Sequence, residues 1–356
     1  MEIIKSGSTI GIIGGGQLGK MSAESAKRLG YKTHIYCPKD GEPATLVSDK
    51  KTIAEYDDVE ALKKFSDDVD VITFEFENIP AKSVKLLEET NIVRPNWKVL
   101  EISQNRFKEK NFIQDLGIKV APFSKIENAY DLENAMNNSQ ASKSIIKTAE
   151  MGYDGKGQAT LDKNSNFNEI WNNLDTKIAI LEEFVPFDAE ISVIVARKEN
   201  SKTSSFPPAK NTHDHGILDI SIAPSGLDNS IEEKAQSIAK KISDSLDLIG
   251  IIAVEFFVLG NELFVNEIAP RPHNSGHWTM DGCETSQFEQ FIRAICGIEF
   301  KNTNMIAKKV TMKNLIGDDV NNIEALKKEN SIVHLYGKKD VKKGRKMGHI
   351  NYLEYN

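Results

Sequence analysis

The sequence predicts an α/β fold, with a Rossmann-like parallel sheet at the N-terminus followed by lobes of the α+β type. Residues 1–100 alternate short apolar strands with amphipathic helices, which is the βαβ rhythm of a parallel sheet. Beyond about residue 140, strands follow one another through glycine-containing turns. At 356 residues, the chain is long enough for two or three subdomains.

The composition is ordinary for a globular protein, with 27% charged and 40% hydrophobic residues. A net charge of −7 with both signs interspersed favours neither nucleic acid nor membrane as a partner. The three cysteines, Cys37, Cys283 and Cys296, lack metal-binding spacing and suggest reduced thiols. No secretory signal or membrane-spanning run is present. We therefore expect a soluble cytoplasmic protein.

The first strand, Thr9–Ile13, leads into a glycine turn that satisfies G-x-G-x-x-G at Gly14, Gly16 and Gly19. A nicotinamide dehydrogenase would also need an acidic residue near the end of the second strand. The residues at that place, 35–39, contain no acid. The pattern therefore argues against NAD and favours a tight turn or a loop for another phosphate.

The third strand, Val69–Phe74, is followed by Glu75 and Glu77. The carboxyl end of a parallel sheet is where α/β proteins bind ligands. These two carboxylates are therefore candidate ligand contacts, although a solvated strand end remains open.

A lysine and a glycine-rich loop come next. Lys147 lies in the predicted strand Ser144–Thr148, and the loop Gly152–Gln158 follows it. A glycine loop between two strands is typical of a lid that covers phosphates. It is not a Walker A loop, because no Gly-Lys-Ser/Thr opens a helix. The alternative is a plain hairpin loop.

The predicted strand Ile178–Val185 carries Glu182 and Glu183 near its end, and Glu190 lies on the following strand. This segment could hold an adenine and its ribose, or it could be an interdomain crossover. Residues 199–229 read as polar and loop-rich. From the sequence alone, a structural role is favoured for His213 in that stretch.

Two apolar runs, Ala253–Val258 and Leu263–Ile268, predict a β-hairpin in which each strand carries one carboxylate, Glu255 and Glu267. A charge on a buried strand is costly unless it is paired or binds a metal. An odd-numbered turn, such as Gly260–Glu262, would place the two carboxylates opposite each other. A two-residue turn would instead pair Glu255 with Asn266.

Opposed carboxylates repel each other, so they favour a divalent cation between them, most naturally Mg²⁺ with phosphate oxygens. Two edge glutamates facing solvent are the alternative. Arg271, His273 and Asn274 follow in a proline-punctuated loop and favour a functional site. Near the C-terminus, the basic residues 337–346 could form a solvated turn or bind a substrate phosphate.

Several stretches in order resemble the ATP-grasp superfamily and, within it, the 5-(carboxyamino)imidazole ribonucleotide synthetase family. They are GIIGGGQLGKM, TFEFENIP, GYDGKGQ, EEFVPFDAEISVIVAR, NTHDHGILDISIAP, NEIAPRPHNSGHWTMDGCETSQFEQ and GRKMGHI. The resemblance covers nearly the whole chain. Two positions depart from the family pattern, Glu150-Met151 before the glycine loop and Lys343 before Gly344.

The resemblance implies an ATP-grasp fold in four parts. These are an N-terminal Rossmann-like domain (1–103), a small lobe with the glycine-rich lid (104–186), a large lobe with the metal site (187–300) and a small β-rich C-terminal subdomain (301–356). It implies ATP-dependent carboxylation of 5-aminoimidazole ribonucleotide with bicarbonate, through carboxyphosphate, by a homodimer. The alternative is a formate-dependent glycinamide ribonucleotide ligase of the same superfamily.

The resemblance also implies roles for individual residues. ATP would contact Arg106, Lys147, Gly152, Tyr153, Asp154, Gly155, Lys156, Gly157, Gln158, Glu182, Glu183, Phe184, Val185, Glu190, His213, Asn266 and Glu267. Mg²⁺, or alternatively Mn²⁺, would be bound by Glu255 and Glu267. Aminoimidazole ribonucleotide would contact Gln17, Leu18, Glu75, Glu77, Asp154, Asn274, Lys338, Arg345 and Lys346. Tyr153, Arg271, His273 and Asn274 would handle bicarbonate and carboxyphosphate.

Overall fold

The computed structural model describes residues 2–150, 152 and 157–355, and its first layer is a four-stranded parallel sheet. The strands are β1 (Thr9–Ile13), β2 (Lys32–Cys37), β3 (Lys50–Ile53) and β4 (Val71–Phe74), in the spatial order β3-β2-β1-β4. The helices of this region are α1 (Gln17–Arg28), α2 (Val59–Asp67), α3 (Ala81–Glu88) and α4 (Trp97–Gln104). The predicted parallel sheet is confirmed, with the glycine turn at the carboxyl end of β1.

A second, four-stranded antiparallel sheet follows in the order β5-β8-β6-β7. Its strands are β5 (Phe123–Ile126), β6 (Lys143–Thr148), β7 (Gln158–Asp162) and β8 (Ala179–Glu183). The associated helices are α5 (Arg106–Asp115), α6 (Ala129–Asn138) and α7 (Phe167–Leu174). Apolar residues of α6, among them Leu132 and Met136, pack against Ile146 and Leu181 of the sheet.

The third sheet has nine strands and runs in the order β14-β13-β9-β11-β12-β15-β17-β16, with β10 paired to β9. Its first six strands are β9 (Ala189–Lys198), β10 (Lys202–Ser205), β11 (Ala209–Asp214), β12 (Ile217–Ala223), β13 (Gly250–Leu259) and β14 (Glu262–Ala269). The C-terminal strands β15 (Lys309–Ile316), β16 (Ser331–Leu335) and β17 (Lys346–Glu354) extend the same sheet through the β12–β15 pairing. The remaining helices are α8 (Asn229–Ser245), α9 (Thr279–Gly282), α10 (Gln287–Cys296) and α11 (Ile323–Leu326).

The expectation that residues 199–229 are mostly loop is wrong, because β10, β11 and β12 occupy most of this stretch. Exposed or partly exposed side chains alternate with buried ones in β11 and β12, so one face of each strand is directed to solvent and the other packs inward. Ala209 and Asn211 of β11, for example, are buried, whereas Lys210 and Thr212 between them are exposed. Strand β11 thereby carries His213 to the same end of the sheet as Glu190.

Strand β13 lies in the middle of the protein and is covered on both faces. Ile252 and Val254 pack in the core formed with α8, whereas Ile251 and Ala253 pack in the core formed with α10. Full burial of such side chains contributes about 1.5–3 kcal/mol each. This two-sided burial explains the unbroken apolar run, and it makes the one carboxylate of the strand, Glu255, a costly exception. No helix within the described part of the chain is both long and apolar enough to cross a bilayer.

Candidate active site

A cleft of about 800 Å³ lies where the three sheets meet. The predicted site residues in its lining are Gln17, Leu18, Glu75, Glu77, Arg106, Lys147, Gly152, Gln158, Phe184, Glu190, His213, Glu255, Asn266, Glu267, Arg271, His273, Asn274 and Lys346. Six others, Gly157, Glu182, Glu183, Val185, Lys338 and Arg345, are not part of that lining. Tyr153, Asp154, Gly155 and Lys156 lie outside the described residues. Residues as far apart in the sequence as Gln17 and Lys346 therefore line one cavity.

The hairpin β13–β14 places Glu255 opposite Glu267, but the odd-numbered turn predicted to produce this pairing is wrong. The turn contains two residues, Gly260 and Asn261, between the paired Leu259 and Glu262. The register shifts by one residue between Glu255 and Phe256, so a β-bulge at Asn266 restores the opposition. Bulges commonly redirect side chains beside active sites.

The two opposed carboxylates lie in an environment that disfavours a second negative charge. Burial, together with the charge of Glu267, raises the pKa of Glu255 to about 7. Arg106 supports Glu267 from α5, with Nη1 3.3 Å from Oε2. The Oδ1 atom of Asn266 is buried and finds no hydrogen-bond partner among the described residues. Carboxylate and amide oxygens are hard donors, so this set fits Mg²⁺.

Two ligands from the hairpin do not complete a metal shell. Within residues 2–150, 152 and 157–355, no group of three or more His, Cys, Asp or Glu has the arrangement of a metal site. Mg²⁺ in nucleotide-binding sites is usually held by one or two carboxylates together with phosphates and water. The hairpin therefore fits a cation that arrives with a phosphorylated ligand.

Helix α5 directs Arg106 and Glu109 into the cleft, and two of its charged residues, Glu109 and Lys110, were not predicted. Lys110 is fully buried, and its Nζ donates to the Asn266 carbonyl at 2.8 Å. Glu109 accepts the Ile268 N–H at 2.6 Å, and burial raises the pKa of Glu109 to about 8. Both residues thus hold the backbone of β14 at and just beyond the bulge. Arg106 lies one turn earlier on the same face, at a helical spacing of three and four residues.

Lys147 of β6 points towards the cleft from the small sheet, and its Nζ donates to Glu182 Oε2 at 2.8 Å. The other oxygen of Glu182 lies 3.5 Å from Lys110 Nζ. Burial opposes ionisation of Glu182, but the two lysines lower its pKa to about 2. Glu182 is therefore an internal anion between two cations rather than a cleft-facing group.

The segment after β8 supplies aromatic surface to the cleft. Phe184 is 40% exposed, and it contacts Phe187, which stacks on Phe257 with ring centroids 4.7 Å apart. All three rings line the cleft. In contrast, the Glu183 side chain accepts a hydrogen bond from Ser139, and Val185 is buried. The aromatic surface is suited to stacking with a planar base.

Glu190 of β9 and His213 of β11 are hydrogen-bonded at 2.7 Å across the adjoining strands. Burial opposes protonation of His213, but the bond to Glu190 and the nearby carboxylates raise its pKa. His213 lines the cleft, where the nucleotide contact implied by the family resemblance would be possible. Its position beside Glu190 gives the cleft a donor–acceptor pair of the kind that binds ribose hydroxyls.

Arg271 crosses from the large sheet to the first domain and forms a bidentate ion pair with Glu77 through Nε and Nη2. Burial opposes ionisation of Glu77, but the guanidinium lowers its pKa to about 2. Gln104 donates to the Glu77 carbonyl at 2.6 Å and to that of Ile79. The segment after β4 is therefore fastened to the large lobe at the edge of the cleft.

Glu75 fills the glycine turn after β1. Its carboxylate accepts the backbone N–H of Gly16 at 2.5 Å and that of Gly19 at 2.8 Å. A Cβ atom at Gly16 would lie 2.6 Å from Glu75 Oε1, so glycine is needed there to admit this side chain. The anion held by the turn at Gly16 and Gly19 belongs to the protein, which removes the position that a dinucleotide phosphate would take.

The loop after β14 presents His273 and Asn274 to the cleft. His273 Nε2 lies 3.5 Å from Glu255 Oε1, and burial reinforced by Arg271 lowers the pKa of His273 to about 3. Gln287 holds the loop, because its side chain accepts the His273 N–H and donates to the His273 carbonyl. Asn274 is 8% exposed, and neither polar atom of its amide has a partner in the described structure. An unpaired buried amide in a cleft wall indicates a ligand contact.

The basic C-terminal cluster is only partly directed to the cleft. Lys346 lines it, whereas Lys338 Nζ donates to the Lys346 carbonyl at 2.9 Å. Burial, reinforced by Arg345, lowers the pKa of Lys338 to about 8. Arg345 itself donates to the Asp340 carbonyl. The cluster thus lies beside the wall formed by Glu75 and adds positive charge there.

Family models match three consecutive parts of the chain. A ribonucleotide synthetase preATP-grasp domain matches residues 7–104, and an ATP-grasp domain matches residues 111–288. A phosphoribosylaminoimidazole carboxylase C-terminal domain matches residues 310–356. The predicted ATP-grasp fold is confirmed.

Known proteins match the chain over nearly its full length. The N5-carboxyaminoimidazole ribonucleotide synthase of Bacillus subtilis is 44% identical, over 99% of this chain and 93% of its own length. The Staphylococcus aureus N5-carboxyaminoimidazole synthetase structure, complexed with ADP, is 37% identical with a TM-score of 0.95, over 100% of this chain and 95% of that one. The Aspergillus clavatus enzyme, in complex with ADP and 5-aminoimidazole ribonucleotide, is 28% identical with a TM-score of 0.90, over 98% and 94% of the two chains.

These matches agree with the arrangement of the cleft, in which opposed carboxylates, cationic side chains such as Arg106 and Lys147, and an aromatic surface are combined. The chain therefore belongs to the N5-carboxyaminoimidazole ribonucleotide synthase family of ATP-grasp ligases.

Proposed function

We propose that this enzyme uses ATP and bicarbonate to carboxylate the exocyclic amine of 5-aminoimidazole ribonucleotide, and releases ADP and phosphate. The observation that carries this proposal is the opposition of Glu255 and Glu267 in a cleft that also contains Arg106, Lys147 and the unpaired amide of Asn274. Such a cleft suits a nucleotide together with a second polar substrate. The names of the relatives support the choice of substrate.

ATP is proposed to lie between the small sheet and the large sheet. Its phosphates would meet Arg106 and Lys147, whose charges offset those of the phosphate oxygens. Its adenine would stack near Phe184, and its ribose hydroxyls would meet Glu190 and His213. Glu182 would serve this site indirectly, because its carboxylate holds Lys147 in place.

Glu255, Glu267 and Asn266 are proposed to hold Mg²⁺, for which Mn²⁺ could substitute. When bound, the cation would neutralise phosphate oxygens as the terminal phosphoryl group is transferred. The protein prepares this place by fixing Glu267 with Arg106 and by fixing the bulge with Lys110. The backbone at Asn266 is thus held by Lys110, and the Glu267 side chain is oriented by Arg106.

The proposed chemistry has two steps. A bicarbonate oxygen attacks the terminal phosphorus of ATP, ADP leaves, and carboxyphosphate forms. In one route, the amine attacks the carboxyl carbon of carboxyphosphate and displaces phosphate. In the other, carboxyphosphate first separates into CO₂ and phosphate in place, and the amine then attacks the CO₂. Arg271 and His273, with Tyr153 from the loop outside the described residues, are proposed to bind these anions. Exclusion of water is needed because carboxyphosphate hydrolyses readily.

The aminoimidazole ribonucleotide is proposed to lie against the first domain. Gln17, Leu18, Glu75 and Glu77 form that wall of the cleft, and Asn274 faces it from the large lobe. The phosphate of the ribonucleotide would be drawn to the basic cluster at Lys338, Arg345 and Lys346. Asp154 completes the proposed set from outside the described residues.

An ADP-release assay tests the proposal. Release that requires both bicarbonate and aminoimidazole ribonucleotide is expected, with formate and glycinamide ribonucleotide as the contrasting pair. Release that ignores aminoimidazole ribonucleotide, or that responds to the glycinamide pair, would reject the proposed reaction. Family resemblance further leads us to propose a cytoplasmic homodimer with domain boundaries after residues 103, 186 and 300; light scattering tests its mass.

A further inference from the structure

The side chain of His273 is held from behind by a backbone group whose role is unambiguous. The N–H of Ser275 donates to His273 Nδ1 at 3.3 Å, at the start of the short turn Asn274–Gly276. A backbone N–H can only donate a hydrogen bond. Nδ1 must therefore present its lone pair, and the ring proton lies on the other nitrogen.

Two buried hydroxyl groups extend this contact into the core. Ser192 Oγ, on β9, donates to Ser275 Oγ at 2.7 Å. Ser275 Oγ in turn lies 2.8 Å from His273 Nδ1. The bond between the two serines uses the proton of Ser192, so the single hydroxyl proton of Ser275 remains available. Since Nδ1 presents a lone pair, Ser275 donates this proton to Nδ1. Both serines are buried, so water does not compete for these bonds.

The far side of the ring faces the reacting groups. His273 Nε2 lies 3.5 Å from Glu255 Oε1 and on the cleft side of the loop. Gln287 fixes the main chain of His273 through both its N–H and its carbonyl. The ring therefore has a fixed orientation, with an N–H directed towards the cleft and an acceptor directed towards the core.

We propose that Ser192 and Ser275 are positioning residues that hold His273 as the neutral Nε2–H tautomer. In this form His273 is a hydrogen-bond donor to an anion in the cleft and is not a proton acceptor. The identity of that anion, bicarbonate or its phosphorylated product, rests on the proposed function. A neutral donor fixed before the reaction stabilises developing negative charge without reorganisation. The proton lost by the amine must then go to another acceptor, such as the departing phosphate.

Ring-labelled histidine tests the tautomer directly and without turnover. The chain has seven histidines, so a His273→Gln variant identifies the signals of this ring in two-bond ¹H–¹⁵N spectra. We expect an unprotonated Nδ1 and a protonated Nε2. In Ser275→Ala, which keeps the backbone donor but loses the hydroxyl, we expect Nδ1 to stay unprotonated and its ¹⁵N resonance to move, because one of its two hydrogen bonds is lost. Ser243→Ala, a buried serine of α8 that donates to the Lys240 carbonyl, is the matched control and should leave the ring unchanged.

Either of two spectra would overturn the proposal. One is a protonated Nδ1 in the unsubstituted enzyme, and the other is a Ser275→Ala spectrum identical to it. The spectra do not depend on which substrate is carboxylated. A failure of the proposed function would therefore appear only in the ADP-release assay, and a failure of the tautomer assignment only in the spectra.

Kinetics separate positioning from general loss of structure. Ser275→Ala should lower kcat/KM for bicarbonate about tenfold, the factor that corresponds to one net hydrogen bond, and leave KM for ATP unchanged. The double variant Ser192→Ala with Ser275→Ala should be no worse than Ser275→Ala alone, because both hydroxyls act through one ring nitrogen. An equal rise in KM for ATP, or fully additive losses, would contradict the inference.

Discussion

Two pairs of glutamates face the same cleft and differ in how the chain satisfies them. Glu75 accepts two backbone N–H groups of the glycine turn, and Glu77 forms a bidentate pair with Arg271. Glu255 and Glu267 instead oppose each other. His273 Nε2 lies 3.5 Å from Glu255 Oε1, and Arg106 Nη1 lies 3.3 Å from Glu267 Oε2. The pKa of Glu77 is lowered to about 2, whereas that of Glu255 is raised to about 7.

The difference teaches how to distinguish a carboxylate that has partners within the chain from one that needs a bound cation. A carboxylate paired with an arginine, as Glu77 is with Arg271, stabilises the fold and loses that benefit when it is protonated, whereas burial raises the pKa of Glu75 in spite of its two N–H donors. A buried carboxylate that faces another one is a cost to the free protein, and a cation would remove this cost. Burial alone does not separate the two classes, since Glu77 and Glu255 are both partly buried, with 26% and 14% of their side chains exposed.

The largest effect is expected when the opposed pair loses one charge. Glu267→Gln should reduce turnover by about 10³-fold or more, because one of the two proposed metal carboxylates is lost. Thermal unfolding should stay close to that of the unsubstituted enzyme, since mutual repulsion with Glu255 is relieved. Glu262→Gln, on the same strand but exposed and paired with Lys119, is the matched control and should change turnover less than twofold. Near-normal turnover of Glu267→Gln would remove the metal assignment.

An intermediate effect is expected at the paired carboxylate. Glu77→Gln leaves the Arg271 guanidinium without its anion and should lower the free energy of unfolding by about 2 kcal/mol at pH 7. The pKa of Glu77 in the folded protein lies below its ordinary value, so its contribution is present at neutral pH and is lost as pH falls from about 4.5 through about 2.

Urea unfolding at several pH values measures this difference. The difference in free energy of unfolding between Glu77→Gln and the unsubstituted enzyme should become smaller below pH 4.5. A difference that stays constant down to pH 2 would contradict the lowered pKa of Glu77. Glu89→Gln, which removes an exposed acid of the same domain, is the control for the loss of one negative charge.

The smallest effect has the opposite sign. Glu255→Gln should raise the free energy of unfolding of the metal-free enzyme by about 1 kcal/mol at pH 8. The pKa of Glu255 is raised to about 7, so its ionisation costs the folded state stability as pH rises through 7, and no cost remains below its unfolded pKa. Unfolding in EDTA at pH 8 and pH 4 provides the measurement. If Glu255→Gln were instead less stable than the unsubstituted enzyme at pH 8, the negative charge of Glu255 would stabilise the fold, as that of Glu77 does, and the predicted repulsion by Glu267 would be wrong.

The sequence predicted three of the four strands of the first sheet, and the hairpin, because these elements follow local periodicity. Strand β1 has the predicted bounds, Thr9–Ile13. The edge strand Lys50–Ile53 was missed, since its side chains are mostly exposed and it has no apolar pattern. The family resemblance supplied the ATP-grasp fold, which periodicity alone did not specify.

Within the site, the residues were easier to predict than the reason for their arrangement. The opposition of Glu255 and Glu267 depends on a bulge at Asn266, whose carbonyl is held by Lys110 from a helix far away in sequence. A turn length cannot reveal such a long-range contact. A signal for Lys110 was present, because α5 carries charged residues at a helical spacing on the face that also buries Ile113.

The carboxylate that occupies the glycine turn has a consequence for cofactor engineering. A Gly-x-Gly-x-x-Gly signature marks backbone amides in need of an anion, and here Glu75 supplies it from the same domain. Conversion of this domain into a dinucleotide binder would require removal of Glu75 and introduction of an acid after β2, where residues 37–39 have none. The glycine signature alone would mislead a designer, because it does not show whether its backbone N–H groups already donate to a side chain of the protein.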